Sequence, residues 1–199
     1  MTKTTLQKIN KLLVVVICIF LLYIVVAPYL PEVTHFVQVK TDPHQGYKYA
    51  SALAVKDGLA DGLQPIPFGP QLTIPKIGVD GKINMGSDIS ELLKGIWHRP
   101  NSSTPDKGGN TVLVAHRWMY TEGGNTFYHL PKLEVGDKFS IFWQGKEYDY
   151  QVFESKEFPA NAIEIEANTT EPIVTLYTCT PLWTATNRYV VKANLIKQV

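Results

Sequence analysis

The chain has 199 residues, 45% of them apolar, so it can bury one sizeable core, and one globular domain is expected. Its 19 Lys and Arg residues nearly balance its 18 Asp and Glu residues, which leaves a formal net charge of +1. Because the charges balance, the protein has no strong positive field that would attract a polyanion. We therefore set nucleic-acid binding aside as a function.

The first predicted element is an uncharged apolar segment over residues 12–30, which follows Lys3, Lys8 and Lys11. Nineteen helical residues at about 1.5 Å each reach roughly 28 Å, close to the thickness of a bilayer's hydrocarbon core. A cleaved signal peptide is the alternative, but Pro28 directly after the small residue Ala27 should hinder cleavage. We therefore predict an uncleaved signal anchor that spans the membrane once.

The lysines before the anchor indicate its orientation. Positive flanking residues favour the cytoplasmic side, so residues 1–11 are expected in the cytoplasm and everything after residue 30 outside. Residues 31–70 are predicted to be an extracellular connector, in which only residues 47–59 are compatible with a short helix. The connector is either a spacer or a regulatory flap over the active site. Five prolines interrupt it: Pro31, Pro43, Pro65, Pro67 and Pro70.

Residues 71–199 show short apolar or alternating runs separated by turn residues, a pattern typical of an all-β domain. A short helix is predicted over 88–95, with Asp88 as N-cap and Gly95 as the stop, and a hairpin turn is predicted around Gly145. Together these elements indicate a closed or nearly closed β-barrel. The candidate strands are 71–78, 110–116, 138–144, 146–155, 172–179 and 188–196.

The two cysteines cannot pair with each other, because Cys18 lies in the apolar span and Cys179 in the exported part. An unpaired thiol outside the cell is exposed to oxidation, so Cys179 is either a reactive residue or a buried, inert one.

If the strand that ends at Cys179 turns and returns antiparallel without a bulge, Cys179 and Arg188 lie opposite each other with Cβ atoms about 4.5–5.5 Å apart. Arg188 would then favour the thiolate and hold a developing oxyanion; the alternative is an ordinary surface arginine.

A thiolate enzyme also needs a group that protonates the leaving amine, and histidine is the usual residue near neutral pH. His116 is the preferred candidate, because it ends an apolar strand and precedes a polar loop. His98 and His129 are flanked by aromatic residues and prolines, which is more typical of packing or surface histidines. His35 and His44 lie in the predicted connector.

Three sequence blocks in this order resemble the sortase family of membrane-anchored cysteine transpeptidases. They are "LTIPKIGV" with "GSDISELLKGIWHRP", then "GGNTVLVAHR", then "TLYTCTP" with the downstream Arg188. The resemblance covers roughly residues 71–196 and implies an eight-stranded β-barrel. It also implies that Cys179 is the nucleophile, His116 the general acid and then base, Arg188 the oxyanion stabiliser, and Thr178 a support of the substrate pocket.

The resemblance further implies a substrate and an acceptor. Sortases cleave an LPXTG-like signal near the C-terminus of a secreted protein after its Thr, hold the acyl fragment as a thioester, and transfer it to an amine. That amine belongs to a cell-wall precursor or to a pilin lysine. The subclass resembles class D or E, and no clear lid motif precedes the barrel.

No cofactor is predicted, although some relatives use calcium. Acidic residues surround the segment before the cysteine strand, and their simpler interpretation is solvated loop charge; they are Glu154, Glu157, Glu164, Glu166 and Glu171. A papain-like protease fits less well, because its cysteine is ordinarily on a helix and precedes its His. A non-catalytic, membrane-anchored barrel that binds a peptide or wall polymer remains the alternative function, but it leaves Cys179, His116 and Arg188 unexplained.

Overall fold

The computed structural model describes residues 3–41, 58, 64–119 and 126–199. Helix α1 (Lys3–Val26) passes through a 3-10 turn (Ala27–Tyr29) into helix α2 (Leu30–Thr41). By length and composition the stretch Thr5–Thr34 is sufficient to cross a membrane, a test that a signal sequence also passes.

Helix α2 corrects the prediction that the connector begins at residue 31 without regular structure. Pro31 is the second residue of α2. Proline has no backbone N–H, but the first N–H groups of a helix have no partner within the helix, so Pro31 is tolerated at the start of α2 and does not break it. The predicted helix over 47–59 lies outside the described residues, apart from Gly58.

Eight strands close into a barrel in the order β1-β2-β3-β4-β7-β8-β6-β5. The pairs β2–β3 and β4–β7 are parallel, and the other pairs are antiparallel. The all-β barrel predicted from the sequence is confirmed. The strands are β1 (Gln71–Ile74), β2 (Val79–Asn84), β3 (Ile96–His98), β4 (Asn110–Val114), β5 (Lys138–Trp143), β6 (Lys146–Pro159), β7 (Ile173–Thr180) and β8 (Asn187–Gln198).

The first predicted strand, 71–78, is wrong in its second half. Pro75 opens a 3-10 turn (Pro75–Ile77), and Gly78 closes it with a φ of 66° and an N–H that bonds Pro75 O at 3.0 Å. Strands β2 and β3 were missed, because β2 contains turn-forming Asp80 and Gly81 and β3 is three residues long.

The short helix predicted over 88–95 is present as a 3-10 helix (Ile89–Lys94). The Asp88 carboxylate accepts a hydrogen bond from Ser90 N at 2.7 Å, as an N-cap does, and Gly95 follows the last turn. The predicted hairpin is also confirmed, since Trp143 pairs with Lys146 across a two-residue turn.

The barrel has two apolar clusters, because side chains alternate between its inner and outer faces. The inner cluster fills the barrel and includes Val174 and Leu176 of β7. The outer cluster covers the outside of β3, β4, β7 and β8, with part of the connection between β6 and β7 packed over it. Its buried members are Trp97, Val112, Val114, Ala162, Ile165, Tyr177 and Val190.

We expect Leu113→Ala to lower the free energy of unfolding by about 2–5 kcal/mol, because it removes a fully buried side chain from the inner cluster. Leu93→Ala is the matched control, since Leu93 is 60% exposed and should lose well under about 1 kcal/mol. Urea titrations measure both. Equal losses in the two variants would contradict the assignment of Leu113 to the core.

Candidate active site

Strand β7 lies between two neighbours of opposite direction: β8, which carries Arg188, and β4, which is followed by His116. On one side Cys179 pairs directly with Arg188 of β8. On the other side the parallel register pairs Val114 of β4 with Tyr177, and Ala115 N still bonds Tyr177 O at 3.5 Å beyond the end of β4. The parallel register therefore ends two residues before His116 on one strand and two residues before Cys179 on the other.

Cys179 carries a free, partly exposed thiol. It shares a face of β7 with Tyr177, which belongs to the outer cluster, so the thiol lies on the outside of the barrel. Cys18 is free and exposed on α1, which confirms that the two cysteines do not pair with each other. A partly exposed thiol on an outer face is accessible to an extended peptide.

Arg188 is directly opposite Cys179, and directly opposed residues of an antiparallel pair project to the same side. Its Nη1 donates hydrogen bonds to Ala185 O at 3.1 Å and to Asn187 O at 3.0 Å. These bonds attach the arginine to the connection between β7 and β8. The position of the guanidinium therefore depends on the conformation of that connection.

His116 is partly buried, two residues after the end of β4. Phe127 N donates to His116 O at 2.9 Å, so the chain at residue 127 lies next to the histidine backbone. Burial lowers the pKa of His116 below its ordinary value of 6.5. At neutral pH the ring is therefore mainly the neutral imidazole, which can accept a proton.

Thr178 is 1% exposed, and its hydroxyl donates to Ala115 O at 2.9 Å. This bond links the residue before Cys179 to the residue before His116. The prediction that Thr178 supports the substrate pocket stays a prediction; the contact that the structure shows is between β7 and the segment that carries His116.

Two of the other histidines, His98 and His129, have structural partners. The Nε2 atom of His98 lies 2.7 Å from Ser103 O and 3.1 Å from the hydroxyl of Ser102, in a buried position. The Nε2 atom of His129 lies 3.2 Å from Pro31 O, and its Nδ1 lies 3.4 Å from the carboxylate of Glu32. Both histidines therefore fit the packing or surface interpretation. His44 lies outside the described residues.

The connection between β6 and β7 packs in the outer cluster with Tyr177, two residues before Cys179, and is called the wall of the site below; Asn110 anchors it. Asn110 is 2% exposed; its Nδ2 donates to Ala167 O at 2.9 Å, and its Oδ1 accepts from the Thr175 hydroxyl at 2.8 Å. Sequence reasoning missed this role. The available signal was a polar residue at the start of an otherwise apolar strand, which by itself does not identify an anchor.

Two of the acidic residues near this connection bind side chains of the protein. Glu166 bonds Arg99, while Glu154 forms ion pairs with Lys156 and Lys192. Within residues 3–41, 64–119 and 126–199, no three His, Cys, Asp or Glu side chains come together as a group that could hold a metal ion.

A protein-family model described as the sortase domain matches residues 72–196. The chain belongs to the sortase family. The resemblance inferred from the three sequence blocks is thus confirmed, and it extends over the whole barrel.

Individual sortases show the same similarity. Sortase D of Bacillus subtilis (strain 168) is 30% identical over 126 residues, which cover 60% of this chain and 60% of that protein. The chain thus aligns with about three fifths of this relative. The solved sortase A of Listeria monocytogenes matches with a TM-score of 0.57 at 25% identity, over 65% of this chain and 87% of that chain. The structure of Streptococcus agalactiae sortase C1 matches with a TM-score of 0.59 at 33% identity, over 65% of this chain and 68% of that one.

We expect Thr178→Val to lower the free energy of unfolding by about 1–3 kcal/mol, because it leaves the buried Ala115 carbonyl without its hydrogen bond. Thr178→Ser is the matched control, since it keeps the hydroxyl and should retain most of the stability. Chemical denaturation measures both variants. A valine variant as stable as the original protein would show that this bond contributes nothing.

The lowered pKa of His116 predicts a pH effect on stability. The unfolded chain binds this proton more tightly than the folded chain, so the free energy of unfolding falls as pH drops below about 6.5. We expect His116→Gln to lose less stability than the original protein between pH 7.5 and 5.5. An NMR titration of the His116 ring should give a midpoint below 6.5, and a midpoint above that value would contradict the prediction.

Proposed function

We propose that this member of the sortase family is a cysteine transpeptidase in which Cys179 is the nucleophile, His116 the general acid and then base, and Arg188 the oxyanion stabiliser. One observation supports the proposal: β7 pairs antiparallel with β8, where Cys179 is opposite Arg188, and in parallel with β4, whose last pair, Val114 with Tyr177, lies two residues before His116 and Cys179. The partly exposed thiol and the partly buried imidazole fit these roles.

In the first half of the reaction, the thiol proton of Cys179 passes to the neutral imidazole of His116, and Sγ attacks the carbonyl carbon of the scissile peptide bond. Negative charge develops on the carbonyl oxygen, where the Arg188 guanidinium stabilises it. The C–N bond breaks as His116 donates its proton to the leaving amine. The product is a thioester on Cys179.

In the second half, an acceptor amine attacks the thioester carbon. His116, again neutral, takes a proton from the attacking nitrogen and returns one to the Cys179 sulfur as the C–S bond breaks. A new amide bond forms, and the thiol is regenerated. The thioester conserves the reactivity of the acyl group until an amine arrives, which explains why a covalent nucleophile suits a transfer reaction.

The donor substrate that we propose is a secreted protein with an LPXTG-like signal, cleaved after its Thr. The acceptor is an amine of a cell-wall precursor or a pilin lysine. The family supports sorting-signal substrates in general. Identity to sortase D of Bacillus subtilis supports a class D or E assignment.

We further propose that residues 12–30 anchor the chain in the cell membrane, with residues 1–11 in the cytoplasm and the barrel of residues 71–199 outside. The length and apolar character of the N-terminal helical stretch support this. Glu32 bonds Lys132 at 2.7 Å, which places the start of α2 against the barrel. This contact favours a domain held close to the membrane over one held away by a long spacer.

The test is intact-mass spectrometry of the full chain in lipid nanodiscs, incubated with LPXTG-like peptides with and without an added amine. We expect a peptide adduct on Cys179 that the amine discharges into a ligated product. Cys179→Ala should lower kcat at least about 1,000-fold, because no other group replaces the nucleophile. Cys18→Ala is the matched control and should react as the original protein does.

Two results would overturn the proposal. One is the absence of any adduct or cleavage with every peptide, together with resistance of Cys179 to a small alkylating agent. The other is unchanged turnover in Cys179→Ala. Peptide binding without turnover in both proteins would favour the non-catalytic binding module.

A further inference from the structure

Glu166 accepts two hydrogen bonds at a single carboxylate oxygen. Its Oε1 lies 2.8 Å from Nε of Arg99 and 2.5 Å from the hydroxyl of Tyr177. The side chains of Arg99 and Glu166 are 31% and 29% exposed, and Tyr177 is buried. Hydrogen bonds to an ionised, partly buried group are about twice as strong as those between neutral groups. These three residues are called the carboxylate clamp below.

The clamp joins three elements of the barrel. Glu166 ends the 3-10 helix Ile163–Glu166 in the connection between β6 and β7, and Arg99 directly follows β3. Tyr177 lies on β7, two residues before Cys179 and on the same face. The clamp therefore attaches the wall of the candidate site to the strand that carries the nucleophile.

Each partner of Glu166 is itself held in place. Arg99 N donates to Val112 O at 2.9 Å, and the Arg99 guanidinium lies 4.8 Å from the centroid of the Trp97 ring. Burial raises the pKa of Tyr177, and the hydrogen bond to Glu166 raises it further. The phenol is therefore protonated, and able to donate, throughout the physiological pH range.

The helical turn that carries Glu166 presents two isoleucines in opposite ways. Ile165 is 4% exposed and packs in the outer cluster, while Ile163 is 86% exposed. Burial of Ile165 fixes one side of the turn, and the clamp fixes its end. The connection between β6 and β7 therefore exposes the apolar side chain of Ile163, while Ile165 and Glu166 attach it to the barrel.

We propose that Arg99, Glu166 and Tyr177 are positioning residues for substrate binding: the carboxylate clamp holds the connection between β6 and β7 at the height at which it can contact an extended peptide beside Cys179. The inference rests on the proposed transpeptidase function. None of the three residues takes part in bond making, so weakening the clamp should raise the KM for the donor peptide and leave kcat nearly unchanged.

The test compares Glu166→Gln with Glu164→Gln in the full chain. Both variants make the same chemical change on the same helical turn, but Glu164 is exposed and outside the clamp. We expect Glu166→Gln to raise the donor-peptide KM about tenfold, because the neutral amide oxygen still accepts but both bonds lose their charge assistance, with kcat changed less than about twofold. Glu164→Gln should keep both values.

Two further variants separate positioning from general destabilisation. Tyr177→Phe removes one of the two bonds to Glu166 and keeps the ring, so its KM should lie between those of the original protein and Glu166→Gln. Arg99→Lys keeps the positive charge and should recover part of the affinity that Arg99→Gln loses. Hydrogen exchange over residues 162–168 should quicken in Glu166→Gln and stay slow in Glu164→Gln.

Several outcomes would overturn this inference. They are an unchanged KM in Glu166→Gln, a fall in kcat at constant KM, and an equal effect in Glu164→Gln. In these cases the original protein still transfers peptide, so the proposed function stands while the clamp proposal fails. If the original protein forms no adduct, cleaves no peptide and has a Cys179 that resists a small alkylating agent, both proposals fail together.

Discussion

The position of β7 between a parallel and an antiparallel neighbour is the constraint on which the rest of the structure depends. Residues from two distant parts of the chain can flank Cys179 only if β4 and β8 both pair with the strand that carries it. The parallel pairing cannot be closed by a tight turn and requires a long crossover. Strands β5 and β6 supply that crossover, and they complete the barrel at the same time.

Polar side chains fix this arrangement where regular pairing ends. Beyond the last residue of β4, the Thr178 hydroxyl bonds Ala115 O and so holds the residue before His116 against β7. Asn110 does the same at the opposite end of β4, where it binds the connection between β6 and β7. A buried polar group with its partners present favours one register over its neighbours, because a shifted strand would leave that group unpaired.

The two faces of β7 have separate tasks. Its inner face contributes Val174 and Leu176 to the barrel core, which supplies stability. Its outer face carries Tyr177 and Cys179. Tyr177 packs under the connection between β6 and β7, and Cys179 is partly exposed. Because strand side chains alternate, the wall can change its contacts with Tyr177 while the packing of the inner face remains as it is.

Local patterns in the sequence determined much of this protein. The apolar stretch near the N-terminus, six of the eight strands, the hairpin at Gly145 and the capped turn after Asp88 all follow from composition, alternation and turn residues. The pairing of Cys179 with Arg188 was also predictable, because a short connection between two antiparallel strands leaves few registers. The sequence alone therefore predicted that Cys179 and Arg188 lie opposite each other.

Tertiary structure alone decided the features that depend on distant residues. The parallel register of β4 and β7, in which Val114 is opposite Tyr177, joins strands about 60 residues apart in sequence, and the local sequence carries no signal for it. The carboxylate clamp likewise joins Arg99 to Glu166, whose separation in sequence hides their contact. Strands β2 and β3 were missed because they are short and hold turn residues, and their neighbours in the barrel stabilise them.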